Sequence, residues 1–161
     1  MIDGILAVWS DIDEEAEDDY TAWYEREHMF ERLEVPGFRR ARHYLTISGE
    51  PKYFTYFELD DPTVVASKAY LEQANSSSPW TEKILPHFRN VNRTGGQVVR
   101  RLGKGFGAAA MTMRLTMRDI KDPALMTYLG TEILPAIIER PGIISAQLWT
   151  ADQEATLQPV K

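Results

Sequence analysis

The sequence predicts an α+β protein, in which a split βαβ unit is followed by a partial second repeat. Short apolar or alternating runs that are typical of strands flank segments with helical spacing. Up to residue 102 their order is strand, helix, strand, strand, helix, strand, which is the ferredoxin-like order. A strand–helix–strand series begins again after a glycine-rich stretch. We therefore predict a first unit over 1–102, a linker over 103–109 and a partial second unit over 110–161.

The N-terminal third predicts a buried strand and a helix. Residues 5–9 form a short apolar run, and the acidic stretch 11–19 that follows complements the dipole at a helix start. Large residues then recur near helical spacing, and Pro36-Gly37 predicts the end of the helix.

The middle of the chain predicts a hairpin, two helical pieces and a long strand. Residues 40–47 and 53–59 are rich in alternating, aromatic and β-branched residues and predict the hairpin. Asp60-Asp61-Pro62 predicts a helix start with a capping carboxylate. A second helical piece is predicted from residue 80, and residues 91–102 predict a strand with a bulge at Gly95-Gly96.

The C-terminal third predicts the second repeat. Residues 111–117 alternate strictly between apolar and polar side chains, Asp122-Pro123 opens a helix, and 143–149 alternate again. Residues 152–161 have no strand-length alternation, so we expect them to be irregular or to pair with another protomer.

Composition excludes several classes of function. The chain has 161 residues and 43% hydrophobic residues, which is enough for a sizeable core. A net charge of −6 disfavours nucleic acid and anionic membranes as partners. Cysteine is absent, so disulfide scaffolds and thiol catalysis are excluded. We expect a cytoplasmic location, because residues 5–9 are too short for a signal or membrane segment.

His28 is the main candidate catalytic residue. Glu25 and Glu31 flank it at three residues on either side, on one predicted helical face, and a histidine so placed is a candidate general base. The segment from Glu27 to Pro36-Gly37 is echoed by that from Glu132 to Pro141-Gly142, an offset of 105 residues (141 − 36), and His28 becomes Ile133 in the echo. A group that only one copy carries indicates a site, although a structural histidine bonded to Glu31 or Tyr24 is an alternative.

Other motifs carry less information. The glycines at 103, 105 and 107 precede a predicted strand, whereas a phosphate-binding loop precedes a helix, so this stretch is interpreted as a linker. The spacing of His28, His43 and His87 does not require a metal, and no metal site is predicted.

The first unit resembles the EthD-like branch of the dimeric α/β-barrel superfamily over about residues 9–88. The resemblance rests on three motifs in order: Trp23-Tyr24-x-x-Glu27-His28-Met29-x-Glu31-Arg32-Leu33, Val35-Pro36-Gly37-Phe38-x-x-Ala41-Arg42-x-Tyr44, and Pro51-Lys52-Tyr53 with Tyr56-x-Glu58-Leu59. It implies a ferredoxin-like unit whose sheet packs on another sheet, and a ligand cleft between helix and sheet that His28 faces.

These observations predict an enzyme without metal or organic cofactor that transfers protons on a small hydrophobic or aromatic molecule, as an isomerase, lyase or dehalogenase does. Its predicted acid/base residues are His28, with Glu31 to orient it and raise its basicity, and His43. The predicted substrate-binding residues are aromatic: Trp9, Trp23, Tyr24, Tyr44 and Tyr56. We also expect a homodimer. Alternatives are a non-catalytic protein that binds a lipophilic ligand and a haem-binding barrel.

Overall fold

The computed structural model describes residues 3–116 and 122–157, which pack as two compact units. The chain up to Gln97 and from Ala151 onward forms the first unit, and Val98–Thr150 forms the second. This division differs from the predicted 1–102, 103–109 and 110–161, because the strand Phe88–Gly103 runs unbroken through the boundary between the units. Within the described residues, no helix is long and apolar enough to cross a membrane.

The sheet of the first unit has the strand order of a ferredoxin-like fold. Strand β1 (Gly4–Ile12) lies between β3 (Tyr53–Leu59) and β4 (Phe88–Gly103), and β2 (Phe38–Leu45) lies outside β3. The pairs β1–β3, β1–β4 and β2–β3 are all antiparallel. The order β2-β3-β1-β4 and the hairpin of β2 and β3 confirm the predicted fold class.

One long helical segment follows β1. It consists of a 3₁₀ turn (Glu14–Ala16), α1 (Glu17–Trp23), a π turn (Tyr24–His28) and α2 (Met29–Leu33). Glu17, Asp18 and Asp19 occupy the first turn of α1, where carboxylates complement the helix dipole. The segment ends before Pro36-Gly37 as predicted, and Gly37 has a positive φ of 97°, which glycine adopts at little cost.

Two further helices lie between β3 and β4. They comprise a 3₁₀ turn (Pro62–Ala66), α3 (Lys68–Ala74), α4 (Pro79–Ile84) and a 3₁₀ turn (Leu85–His87). The predicted capping carboxylate is confirmed and belongs to Asp61, whose side chain accepts a hydrogen bond from the backbone of Thr63. Ser67 and Ser78 cap α3 and α4 in the same way.

The core of the first unit has an aliphatic and an aromatic half. Leu6, Phe38, Phe57, Leu59 and Val65 form the centre of the first half, and all are almost completely buried. Burying one such side chain contributes about 1.5–3 kcal/mol. Aromatic residues of α1 and the π turn pack on β3 and α4 in the second half. The candidate site lies in this aromatic half.

The second unit repeats the helical segment of the first. It contains α5 (Pro123–Tyr128), a π turn (Leu129–Ile133), α6 (Leu134–Ile138) and β5 (Ser145–Ala151), and Asp122 caps α5. The two π turns have the same offset as the sequence repeat, and Gly142 has a positive φ of 88° like its counterpart Gly37. The internal repeat is therefore present in the backbone as well as in the sequence.

The predicted strand at 111–117 is wrong. Residues 111–116 form no strand, and residue 117 lies outside the described residues. Met111 and Met113 are 81% and 74% exposed. An alternating pattern becomes a strand only where a neighbouring edge supplies hydrogen bonds, and within residues 3–116 and 122–157 no strand pairs with this segment.

The bulge predicted at Gly95-Gly96 is also wrong, because the register is continuous there and shifts instead between Trp9 and Asp11. Gly95 serves a close approach: a Cβ on it would lie 2.6 Å from the Cβ of Ala155. Ala155 belongs to α7 (Gln153–Thr156), a short helix where we expected irregular chain. Asp152 caps α7, and residues 158–161 lie outside the described residues.

Candidate active site

Stacked rings fill the space between the first helical segment and the sheet. His28 stacks on Trp23 with ring centroids 4.2 Å apart, and Tyr24 stacks on His43 at 4.2 Å. His28 and Tyr24 meet edge to face at 5.1 Å. Tyr53 lies beyond His43 at 5.4 Å and nearly parallel to it. We call these five residues the ring cluster; it joins two imidazoles through one phenol.

His28 is the last residue of the π turn, and its side chain is only 14% exposed. No group among the described residues forms a hydrogen bond with its Nδ1 atom. Burial lowers the pKa of His28 well below its usual value, and the positive charge of Arg32 and the neighbouring His43 lower this pKa further. His28 is therefore a neutral imidazole at pH 7, with a buried nitrogen free to accept or donate one hydrogen bond.

Glu31 does not orient His28 as the sequence analysis predicted. Its Oε2 atom lies 3.9 Å from Nδ1 of His28, which is beyond hydrogen-bonding distance. Burial lowers the pKa of His28, so the increase in basicity that we expected from Glu31 is not found. The pKa of Glu31 is itself raised by burial and by the nearby Glu27 carboxylate, while the positive charge of Arg32 and a hydrogen bond with Gln73 oppose this shift.

His43 faces the helices from β2. Its neighbour across the hairpin is Thr55, whose Oγ1 atom lies 2.7 Å from Nδ1 of His43. Its Nε2 atom is buried, and within the part of the chain that the structure describes no group forms a hydrogen bond with it. Burial lowers the pKa of His43 to about 4. The cluster thus holds two neutral imidazoles, each with one ring nitrogen without a protein partner among the described residues.

The phenols around the histidines stay protonated. Burial raises the pKa of the Tyr24 hydroxyl, although the nearby Thr55 hydroxyl opposes this shift. Burial also raises the pKa of Tyr20, whose ring touches Tyr24 at 4.9 Å and His43 at 5.7 Å. The pKa of Tyr53 is raised to about 12, first by burial and then by the hydroxyl's hydrogen bond to Glu17, which is 2.7 Å long. All three can donate a hydrogen bond, but at neutral pH they keep their protons and do not act as phenolates.

The substrate-binding residues that we predicted do not all lie at this site. Trp23 and Tyr24 belong to the ring cluster. Trp9, Tyr44 and Tyr56 lie on the other face of the sheet, because strand side chains alternate and His43 takes the helix face. They stack there around Phe54, at 5.0 Å for Trp9 and 5.6 Å for Tyr56. These three residues cannot line one pocket with His28.

The sequence analysis missed Arg32 and Gln73. Arg32 lies one helical turn after His28, and its Nη1 atom donates a hydrogen bond to Oε1 of Gln73 on α3. Burial lowers the pKa of Arg32, and the guanidinium carbon lies 5.4 Å from the ring centre of Tyr70. The four-residue spacing from His28 was a signal for Arg32. Nothing in the sequence indicated Gln73, because it comes from another helix.

The internal repeat provides a comparison within the chain. Six polar residues of the first copy have aliphatic counterparts in the second copy, 105 residues later. Tyr20, Tyr24, His28, Glu31, Arg32 and His43 correspond to Leu125, Leu129, Ile133, Ala136, Ile137 and Leu148. The second copy forms the same helix and π turn without these polar groups, so the backbone of the repeat does not require them. The π turn is present in both copies and is therefore a feature of the repeated backbone, not of the candidate site.

The third histidine lies elsewhere. Nδ1 of His87 is 3.2 Å from Oδ2 of Asp13, and Arg89 binds the same carboxylate oxygen at 2.7 Å. Within residues 3–116 and 122–157, no three His, Asp or Glu side chains converge as metal ligands.

Comparisons with known proteins bear on the fold. No family model matches the chain, and no curated protein matches it. A solved dimeric ferredoxin-like protein from an uncultured marine organism is 16% identical with a TM-score of 0.52, and the match covers 65% of this chain and 95% of that one.

Two other solved structures align less closely. An EthD family protein from Bacillus halodurans C-125 is 14% identical (TM-score 0.41; 60% of this chain and 97% of that one). SnoaB, a cofactor-independent oxygenase from Streptomyces nogalater, is 10% identical (TM-score 0.41; 74% of this chain and 100% of that one). At such identities, the likeness to the ferredoxin-like protein shows that this chain has a ferredoxin-like fold and shows nothing of its activity.

Proposed function

We propose that this protein is a cofactor-independent enzyme that transfers protons on a small hydrophobic or aromatic molecule, with His28 and His43 as its acid/base groups. The observation that carries the proposal is the polarity of the first copy. Two buried imidazoles and the phenols of Tyr20 and Tyr24 occupy positions where the second copy has only aliphatic residues. Burying such groups costs free energy, so a role in chemistry explains their presence better than a role in folding.

The site supports a simple division of roles. His28, neutral at pH 7, accepts a proton from an acidified carbon of the substrate, and the electron pair of the broken C–H bond stays on the substrate. The proton returns from His28 to a second carbon. Alternatively, His43 first takes up a proton from solvent at Nε2 and gives it to the second carbon, and His28 then releases its proton to solvent. Tyr24, whose ring contacts both imidazoles, holds them in place and can donate a hydrogen bond. Such proton transfer contributes roughly 10²–10⁴ in rate.

Membership of the EthD-like branch belongs to the same proposal. The helix motif around Glu27-His28-Met29 and the Pro51-Lys52-Tyr53 hairpin support it. Lys52 has a structural task within this motif: its backbone N–H donates to Asp11 at 2.6 Å, and its ammonium lies 2.5 Å from Glu17. These contacts fix the hairpin that carries His43.

The proposal is tested by replacing each histidine with glutamine. We expect His28→Gln and His43→Gln to lower turnover at least about 10²-fold on a panel of aromatic, lactone and halogenated compounds, while the melting temperature stays near that of the wild type. His87→Gln is the matched control, because His87 is partly buried but lies outside the ring cluster. It should keep full turnover.

Two results would contradict the proposal. Full turnover in His28→Gln with a lowered melting temperature would leave a structural histidine. Retained binding of an aromatic ligand by a wild-type protein that turns over none of the panel would favour the non-catalytic ligand-binding alternative.

A further inference from the structure

Arg32 has no carboxylate within ion-pair distance among the described residues, although the more distant Glu31 carboxylate opposes the lowering of its pKa by burial. The exposed side chains of Arg39, Lys52, Lys83 and Arg89 each lie within ion-pair distance of a carboxylate. Arg32 is half-buried, and its hydrogen-bond partner is the neutral amide of Gln73. Among the described residues no carboxylate lies within 4.0 Å of its guanidinium. Buried charges are ordinarily paired, so this one calls for an explanation.

Two neutral interactions account for part of the stability of this charge. The guanidinium carbon lies 5.4 Å from the Tyr70 ring centre, and Arg32 sits in the last turn of α2, where a cation complements the helix dipole. Neither interaction uses the N–H donors of the guanidinium. One of these five donors binds Gln73, and the others are available to a ligand. A planar fork of such donors fits a carboxylate in two-point contact.

A second cation adds to the positive potential. Arg93 lies on Tyr70 as well, with its guanidinium carbon 6.0 Å from the ring centre, and its own partners are neutral. It donates to the carbonyl oxygens of Ala155 and Thr156 and to the Tyr70 hydroxyl, at 3.0–3.2 Å. Two guanidinium groups therefore flank one ring in a chain whose net charge is −6. This arrangement favours an anion beside Arg32.

Resting on the proposed function, we infer that the substrate is a small aromatic or unsaturated carboxylate, whose carboxylate binds Arg32 and whose reacting carbon faces His28. The four-residue spacing places Arg32 and His28 on one face of the helical segment, and the aromatic rings of Trp23 and Tyr24 pack against the imidazole. The second copy carries Ile137 at the position of Arg32, so the frame does not need a cation there.

This binding mode also explains how a weak base becomes stronger. Arg32 and His43 are the charged or titratable groups that depress the basicity of His28 beyond burial. A substrate carboxylate that pairs with Arg32 cancels the effect of its positive charge on His28. The pKa of His28 therefore rises when an anionic substrate binds, and it stays low when the site holds solvent or an uncharged molecule.

The test uses benzoate as the probe and benzamide as its neutral analogue, with binding followed by calorimetry and by chemical shifts of the full chain. We expect benzoate to bind the wild type and to bind at least tenfold more weakly to Arg32→Gln. Arg32→Lys should be intermediate, because it keeps the charge but loses the fork. Arg26→Gln is the control on the same helical segment, since Arg26 is exposed, and should bind like the wild type. Benzamide should not distinguish the variants.

A second readout reports on His28 itself. In a ¹⁵N-histidine titration assigned with His28→Gln, saturating benzoate should move the protonation of His28 to higher pH. The inference is overturned if the wild type binds no benzoate at millimolar concentration, if Arg32→Gln binds it equally well, or if the His28 titration does not move. If the enzyme turns over only neutral compounds and His28→Gln abolishes that turnover, this inference is overturned and the proposed function stands. If benzoate binds at Arg32 but His28→Gln keeps full turnover, the proposed function is overturned and the anion site stands.

Discussion

At the scale of single residues, burial decides the chemistry of this site. The nearby Glu31 was expected to make His28 a stronger base, but a carboxylate 3.9 Å away and partly in water does not offset the loss of hydration around a side chain that is 14% exposed. His43 follows the same rule from the strand side. The result is a pair of neutral imidazoles that are weak bases, and we expect a charged ligand to raise the basicity of His28.

This pair makes the stability of the protein depend on pH. Unfolded His43 binds a proton with its ordinary pKa of 6.5, whereas the folded protein binds it only near a pKa of about 4. Below pH 6.5 the unfolded state therefore takes up more protons, and the free energy of unfolding falls as the pH falls toward 4. Integrated to pH 4.5, this loss is at most about 3 kcal/mol.

Urea unfolding at pH 7 and pH 4.5 measures the effect. His43→Leu copies the second repeat, which has Leu148 at this position, and should lose less stability between the two pH values than the wild type does. Equal losses in His43→Leu and the wild type would mean that His43 is not held neutral by burial.

At the scale of secondary-structure elements, the sequence predicted what local patterns determine. The strands β1 to β5, the two long helical segments and the Asp61 cap all follow from periodicity and capping chemistry. Partners distant in sequence determined the rest. Residues 111–116 alternate but form no strand, and the glycine at 95 that indicated a bulge instead makes room for α7.

The role of Gly95 can be tested directly. A Cβ at this position would lie 2.6 Å from the Cβ of Ala155 and 2.8 Å from its backbone carbonyl. Gly95→Ala should therefore displace α7 and destabilise the protein by roughly 1–3 kcal/mol, as overpacking does. Gly130→Ala is the control, because the nearest atom to its Cβ is a flexible Arg100 side chain at 3.5 Å, and it should be neutral or stabilising. Equal melting temperatures for Gly95→Ala and the wild type would refute this account of α7.

At the scale of the whole molecule, the sequence predicted that His28 and His43 belong to the site but not which aromatic residues share their face of the sheet. Trp9, Tyr44 and Tyr56 were predicted to bind the same ligand as His28, yet strand alternation places them on the opposite face. Composition cannot separate two aromatic faces of one sheet, because only the register decides which side chains meet.

We expect a homodimer in solution. Met111, Met113 and Leu115 alternate with polar residues in sequence and are 81%, 74% and 58% exposed, which is costly for apolar side chains in water. A partner's sheet edge or face would cover them. Light scattering should give twice the chain mass, and Met113→Lys with Leu115→Lys should shift the mass toward the monomer; a wild-type monomer at high concentration would contradict the expectation.

The central claim is that the first copy carries polar groups for chemistry and not for its frame. His28→Ile tests it most directly, because it installs the residue that the second copy has at the same place, Ile133. We predict that this variant keeps or raises the melting temperature at pH 7, since a buried polar ring is replaced by an apolar side chain, while its turnover falls at least about 10²-fold. A variant that loses stability but keeps turnover would contradict the claim.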